Sequence, residues 1–196
     1  LKNTLQKQSI DATIYALAVG HLDKLSFPVE QRRPLSLMTA SRLDPRKRLD
    51  LAIRAVALAH QKEPNLSFDI YGEGGEQENL QELIDTLGAN GYIQLRGHAD
   101  LREVYPQYEL YVTTSQWETF GLTLMEAVGA GLALVGFDAR YGNPTFIKDG
   151  KNGFLVPYSE TMDEDLLVSQ MADKIVFALE SEIGRASCRE RVYVLV

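Results

Sequence analysis

Cysteine, tryptophan and histidine are nearly missing from this sequence: one, one and three residues among 196. The single cysteine, Cys188, cannot close an internal disulfide, and it cannot build a cysteine-rich metal site. No apolar run approaches the roughly 18 residues that cross a bilayer, so no transmembrane segment is expected. The opening residues lack the basic-then-apolar layout of a secretory signal, which makes a cytoplasmic location the expectation. Any peripheral attachment to the inner face of a membrane would belong to other parts of a longer protein. Positive charge is also short: 20 Lys and Arg face 27 Asp and Glu, for a net charge of −7. Proteins that wrap nucleic acid usually present a basic face, so nucleic acid is not an expected partner. There is no internal repeat and no low-complexity segment.

What remains is an ordinary globular composition, 45% hydrophobic and 24% charged, at a length that suits one sizeable domain. Both ends look like those of a fragment. EIGRASCRER, Glu182 to Arg191, resembles the translation of a sequencing adapter, so residues 182–196 are expected to be an artefact tail. The other reading of this stretch is a basic helical tail. Cys188 lies inside it and is given no role.

Between the ends, short apolar runs alternate with helical periodicity. The pattern predicts strands over Leu35–Ser41, Ser67–Gly72, Tyr92–Gly97, Glu109–Ser115, Leu132–Phe137 and NGFLVP at 152–157. Helices are predicted over Leu49–Gln61, with Leu49, Ile53 and Val56 on one face, and over 75–89, with Leu80, Leu83, Ile84 and Leu87 inward. A short helix from Leu101 is disturbed by Pro106; others begin near Gly121 and at Asp165. Asn152-Gly153 predicts a hairpin-like bend before the last strand. Such alternation implies an α/β fold with a mostly parallel sheet covered on both faces. In such sheets ligands bind beyond the carboxyl ends of the strands, so the residues after each strand are the ones to read.

After the first strand, Arg42 and Lys47 stand five apart across a turn at Pro45. A guanidinium fork and an ammonium point charge suit a diphosphate, although a solvated basic loop with Arg46 and Arg48 would look the same. The Gly-x-Gly-Gly after the second strand fits a tight turn as well as a ligand contact. It lacks the third glycine of a dinucleotide fingerprint, so an NAD site is not expected. Gly97 and His98 follow the third strand, where His98 could meet a base or be a plain loop residue. After the fourth strand, Glu118 precedes a helix whose free N–H groups would face the crevice and could cradle phosphate. Gly121 permits close approach there, and Glu126 lies about one turn into the helix. The two carboxylates could address a polyhydroxyl ligand, or be acids favoured by a helix start. Leu122, Met125 and Val128 read as core, and Tyr141-Gly142-Asn143-Pro144 as a turn-rich loop. Asp163-Glu164-Asp165 reads as an N-cap with first-turn acids rather than a cation site.

Glu118-TFGLTLM-Glu126 resembles the E-x7-E motif of family-4-type retaining GT-B glycosyltransferases. Arg42 and Lys47 match that family's diphosphate-binding Arg-x4-Lys, and the order of elements from about Ser36 to Pro157 is similar. A narrower resemblance, carried by EAVGAGLALVGFDARYGNPTFIKDGKNGFLVP, is to the accessory-Sec adhesin glycosyltransferase A type. Poly(glycerol-phosphate) and wall-teichoic-acid transferases share an Arg-Tyr-Gly segment. The resemblance implies a Rossmann-like doubly wound parallel sheet, the C-terminal half of a GT-B fold. It makes residues 1–34 an interdomain linker and 35–181 the domain that binds the donor. It implies a UDP-sugar, UDP-GlcNAc before UDP-glucose, transferred to a protein Ser/Thr or wall-polymer hydroxyl, with the acceptor bound by an N-terminal half. A GT-B-like co-chaperone subunit is an implied partner. Arg42 and Lys47 would hold the diphosphate and Glu118 the sugar hydroxyls. Phe120, Gly121, Leu122 and Thr123 would line the sugar and phosphate, Glu126 would accept from ribose, and Gly97 and His98 would border the uracil. No cofactor and no metal are implied. The fragment alone is expected to transfer sugar slowly or not at all. Arg48 stands where adhesin-modifying relatives often have histidine. A UDP-sugar epimerase or a phosphorylase of the same fold, and a non-catalytic GT-B-like partner subunit, are the competing readings; the Glu118 and Glu126 pair favours a transferase.

Overall fold

The computed structural model describes residues 32–118, 120–139 and 142–181. The linker reading of 1–34 lies mostly, and the tail reading of 182–196 wholly, outside them. Six parallel strands form one sheet in the order β3-β2-β1-β4-β5-β6. They are β1 (Ser36–Ala40), β2 (Ser67–Tyr71), β3 (Ile93–Gly97), β4 (Leu110–Thr113), β5 (Ala133–Phe137) and β6 (Gly153–Val156). The helices are α1 (Leu49–His60), α2 (Gln77–Thr86), α3 (Leu101–Val104), α4 (Leu122–Gly129), α5 (Gly142–Phe146) and α6 (Glu164–Glu180). This is the doubly wound, Rossmann-like arrangement, with its order reversing between β1 and β4.

Strand alternation sorts side chains onto two faces. Leu37, Leu110, Val112, Ala133, Val135 and Phe137 enter a core under α1 and α6. Met38, Tyr111 and Leu134 point the other way, into a core under α3, α4 and α5. Every residue of β1, β4 and β5 is buried, which is why these strands read as unbroken apolar runs. The periodicity of α1 is obeyed: Leu49, Ile53 and Val56 are buried, each such side chain contributing about 1.5–3 kcal/mol. Alanines 52, 55 and 59 beside them let α6 pack closely, and α1 with α6 is the most extensive helix pairing. Asp163 caps α6 by accepting from the Leu166 N–H at 3.0 Å, as its sequence position indicates.

Several expectations need correction. Leu87 is exposed, because α2 ends at Thr86 and the chain turns at Gly88 so that Ala89 fills the inward position. Leu122 is exposed too, since it opens α4 on the crevice side, while Met125 is buried and Val128 packs at the core margin. The bend at Asn152-Gly153 makes no hairpin, because β6 runs parallel to β5. Its turn is held by Asn152, which accepts from the Lys148 N–H at 2.7 Å and donates to the Phe146 carbonyl at 2.9 Å. Gly142–Phe146 is a short helix and not a loop; Tyr141 of that segment lies outside the described residues. Pro106 does interrupt the short helix as expected, and the chain continues as a 3-10 turn over Tyr105–Gln107.

Candidate functional site

The β1/β4 switch point opens as a shallow cleft, lined in part by Ser41, Lys47, Thr114, Glu118 and Thr123. Its floor is set by the point where the ladder ends. β1 and β4 pair only at Leu37–Leu110 and Met38–Tyr111. Beyond that, Ala40 turns its N–H and carbonyl to the Tyr111 hydroxyl, at 3.2 and 2.9 Å, in place of a strand partner. The same hydroxyl lies 2.9 Å from Thr123 Oγ1 at the start of α4. Burial raises the Tyr111 pKa, so it stays a neutral donor.

The loop after β1 carries the cations. Asp44 caps a 3-10 turn, Pro45–Lys47, by accepting from the Arg46 N–H at 3.0 Å. Hydrogen bonds from the Arg46 side chain and backbone hold its carboxyl well below the usual range. Two bonds tie this turn to the end of β4: Thr114 Oγ1 donates to the Lys47 carbonyl at 2.9 Å, and the Gln116 N–H donates to that of Arg46 at 3.2 Å. Lys47 Nζ then reaches Glu118 Oε2 at 2.7 Å. Arg42 is largely exposed, with its guanidinium 3.8 Å from Asp44. The Gly-x-Gly-Gly serves this loop: a Cβ on Gly74 would stand 2.2 Å from the Leu43 carbonyl oxygen, and Leu43 N–H donates to the Glu73 carbonyl at 2.9 Å. The turn reading of those glycines is sufficient.

Across the cleft, Gly121 adopts φ 69°, a left-handed conformation that starts α4 without a side-chain cap. Its N–H donates to Glu118 Oε1 at 3.2 Å, so one carboxylate bridges Lys47 and the helix start. The first helical bond runs from the Met125 N–H to the Gly121 carbonyl, which leaves the N–H groups of Leu122, Thr123 and Leu124 ahead of it. Thr123 and Leu124 line the cleft. Phe120 and Leu122 are about half exposed beside it. Glu126 is one turn further along and outside the cleft lining; Tyr105 donates to its Oε2 at 3.0 Å. Gly97 ends β3 and His98 follows it, two strands or about 10 Å from β1, with His98 exposed.

The structure therefore gathers Lys47, Glu118, Gly121 and Thr123 at one point, with Arg42 at the rim and Glu126, Gly97 and His98 further out. Sequence reasoning missed Tyr111, Tyr105, Thr114 and Gly142. Gly142 donates its N–H to the Glu118 carbonyl at 2.8 Å, and a Cβ there would lie 2.8 Å from Glu118 Cγ. Its only signal was a turn. Tyr111 was legible merely as a polar-tipped aromatic in a buried strand. Among the described residues no group of three or more His, Cys, Asp or Glu could hold a metal. Nor is any described helix long and apolar enough to cross a membrane.

The sequence profile of the glycosyl transferases group 1 matches residues 26–193. The chain is 52% identical, over 163 residues, to the UDP-N-acetylglucosamine–peptide N-acetylglucosaminyltransferase GtfA subunit of Streptococcus gordonii, covering 83% of this chain and 32% of that protein. The pneumococcal O-GlcNAc transferase GtfA, solved in complex with UDP and GlcNAc, superposes with a TM-score of 0.86 at 46% identity, over 95% of this chain and 38% of that one. A GtfA/B complex gives 0.78 at 48% identity, over 83% and 33%. The chain thus spans about a third of the length of these relatives. With that profile matched over most of its length and a doubly wound sheet that superposes on theirs, the chain belongs to the group 1 glycosyl transferases.

Proposed function

We propose that this chain is the donor-binding part of a retaining glycosyltransferase that moves N-acetylglucosamine from UDP-GlcNAc to a protein serine or threonine. The observation that carries the reading is the convergence of Lys47, Glu118 and the α4 N-terminus at the β1/β4 switch point. Its similarity to a GtfA solved with UDP and GlcNAc supports the choice of donor. Lys47 and Arg42 take the diphosphate, and the leading N–H groups of α4 supplement them. Glu118 accepts from sugar hydroxyls, Glu126 from ribose, and the Gly97–His98 corner borders the base. In transfer, the bond from the anomeric carbon to the β-phosphate oxygen breaks, and its electron pair leaves with UDP. The acceptor oxygen bonds to the same face of that carbon, and its proton passes to the departing phosphate. The cations and the helix dipole stabilise the charge that develops on UDP, so the scheme needs no metal.

The acceptor is held by parts of the protein beyond this chain, which works in the cytoplasm beside a GT-B-like partner subunit, as a GtfA/B complex exists for the relatives. The chain alone then binds donor with little or no turnover. UDP at one hundred times its Kd should add about 2.7 kcal/mol of stability. For a domain this size that raises the melting temperature by about 5–10 °C. The shift should be the same in EDTA and absent with NAD. A shift that needs divalent metal, or one given equally by NAD, contradicts the proposal.

A further inference from the structure

Arg48 follows Lys47 directly and adopts φ 46°, ψ 44°. Only one other described non-glycine residue, Leu35, has a positive φ. This left-handed residue is the joint between the 3-10 turn that carries Lys47 and helix α1. Its carbonyl accepts from the Leu51 N–H at 3.0 Å, and its N–H donates to the Pro45 carbonyl at 3.2 Å. A right-handed conformation at this joint would carry the 3-10 turn straight on into α1. The direction of the chain through Lys47 would then change. Side chains avoid the left-handed region unless something holds them there.

What holds Arg48 is a bridge to two elements. Nε and Nη2 meet the two oxygens of Asp50, in the first turn of α1, at 3.0 and 2.9 Å. Nη2 also meets Glu164 Oε1, in the first turn of α6, at 2.5 Å. The hydrogen bonds that Arg48 donates to Asp50, above all, and to Glu164 raise its pKa against the lowering effect of burial. The Arg48 side chain is only 19% exposed although its partners are open to solvent. We infer that Arg48 is a positioning residue for the diphosphate site, and that Glu164, more than one hundred residues away in sequence, holds it there. The inference rests on Lys47 binding the diphosphate. Arg48 is not among the residues that line the cleft, and its guanidinium bonds run to Asp50 and Glu164.

Glycine at this position separates the bridge from the backbone strain, because it accepts the left-handed turn freely but does not enforce it. A loop that is in the competent turn a fraction f of the time binds with its Kd raised by 1/f. UDP titrated into the 196-residue chain should therefore bind Arg48→Gly about five- to tenfold more weakly, at a temperature where the variant's own melting curve shows it folded. Glu164→Gln should weaken UDP in the Arg48 background and add nothing in the Arg48→Gly background. Any ion pair is non-additive in stability; non-additivity in UDP affinity is what a purely structural pair would not give. Wild-type UDP affinity in Arg48→Gly, or an equal loss from Glu164→Gln in both backgrounds, overturns the inference while leaving the donor site intact. A wild-type chain that binds no UDP overturns the donor reading itself.

Discussion

Lys47 and Glu118 stand 2.7 Å apart, each about four-fifths buried. A diphosphate that takes up the Lys47 ammonium competes with this carboxylate, while a sugar that takes up Glu118 relieves the competition. Glu118→Gln should then tighten UDP itself by about fivefold, the equivalent of about 1 kcal/mol for a partly buried pair. The same change should weaken UDP-GlcNAc relative to UDP. Calorimetric comparison of the two ligands decides it, and a fall in UDP affinity would show that the pair positions Lys47 instead of competing for it. At this scale the sequence was most legible where charge follows a strand: Arg42, Lys47 and Glu118 stand at the ends of β1 and β4. Tyr111 and Gly142 were not legible, because a hydroxyl standing in for a strand partner and a missing Cβ act only through neighbours distant in sequence.

The element that matters most is α4, eight residues long, with the candidate phosphate cradle at one end. At the other end Arg32, 6% exposed, donates to the carbonyls of Ala130 at 2.6 Å and Gly131 at 3.1 Å, and also to that of Tyr108 at 2.9 Å. A cation on the C-terminal carbonyls complements the helix dipole and satisfies orphan acceptors. Arg32→Met keeps much of the volume but removes the donors, and should cost about 2–3 kcal/mol in urea unfolding. Arg32→Lys should recover part of that. A cost below about 0.5 kcal/mol, the range of ordinary surface changes, would contradict this role. Long periodic elements such as α1 and apolar strands such as β1 and β5 were readable from spacing alone. Among the short elements α3 and β6 were readable but α5 was not: it hides behind Gly142 and Pro144, which signal a turn, and the exposure of Leu87 depends on where α2 stops.

Across the whole molecule, one buried carboxylate ties the segment before β1 to the far side of the sheet. Asp69 in β2 accepts from Arg33 at 2.9 Å, Arg96 at 2.7 Å and the Tyr108 hydroxyl. Burial alone would raise its pKa, but the hydrogen bonds from Tyr108, Arg33 and Arg96 outweigh it and hold the value below the ordinary one. A depressed carboxylate contributes stability above its unfolded pKa, about 3.9, and loses it as pH falls through the lower folded value. Asp69→Asn should cost about 2 kcal/mol at pH 7, the arginines being partly exposed, and the gap to wild type should close on acidification below about pH 4. A gap independent of pH would contradict the assignment. The α/β alternation and the motif order made the whole fold legible, because each strand–helix unit is local. The Asp69 network was not, because its members come from four separate segments. The proposed donor site is the β1/β4 cleft, with Lys47 and Arg42 on the diphosphate. The most direct measurement is calorimetric titration of UDP-GlcNAc, UDP-glucose and UDP into the chain and into Arg42→Ala/Lys47→Ala. Saturable binding that prefers UDP-GlcNAc over UDP-glucose and is lost in the double variant is predicted; binding that survives both substitutions would place the donor away from Lys47 and Arg42.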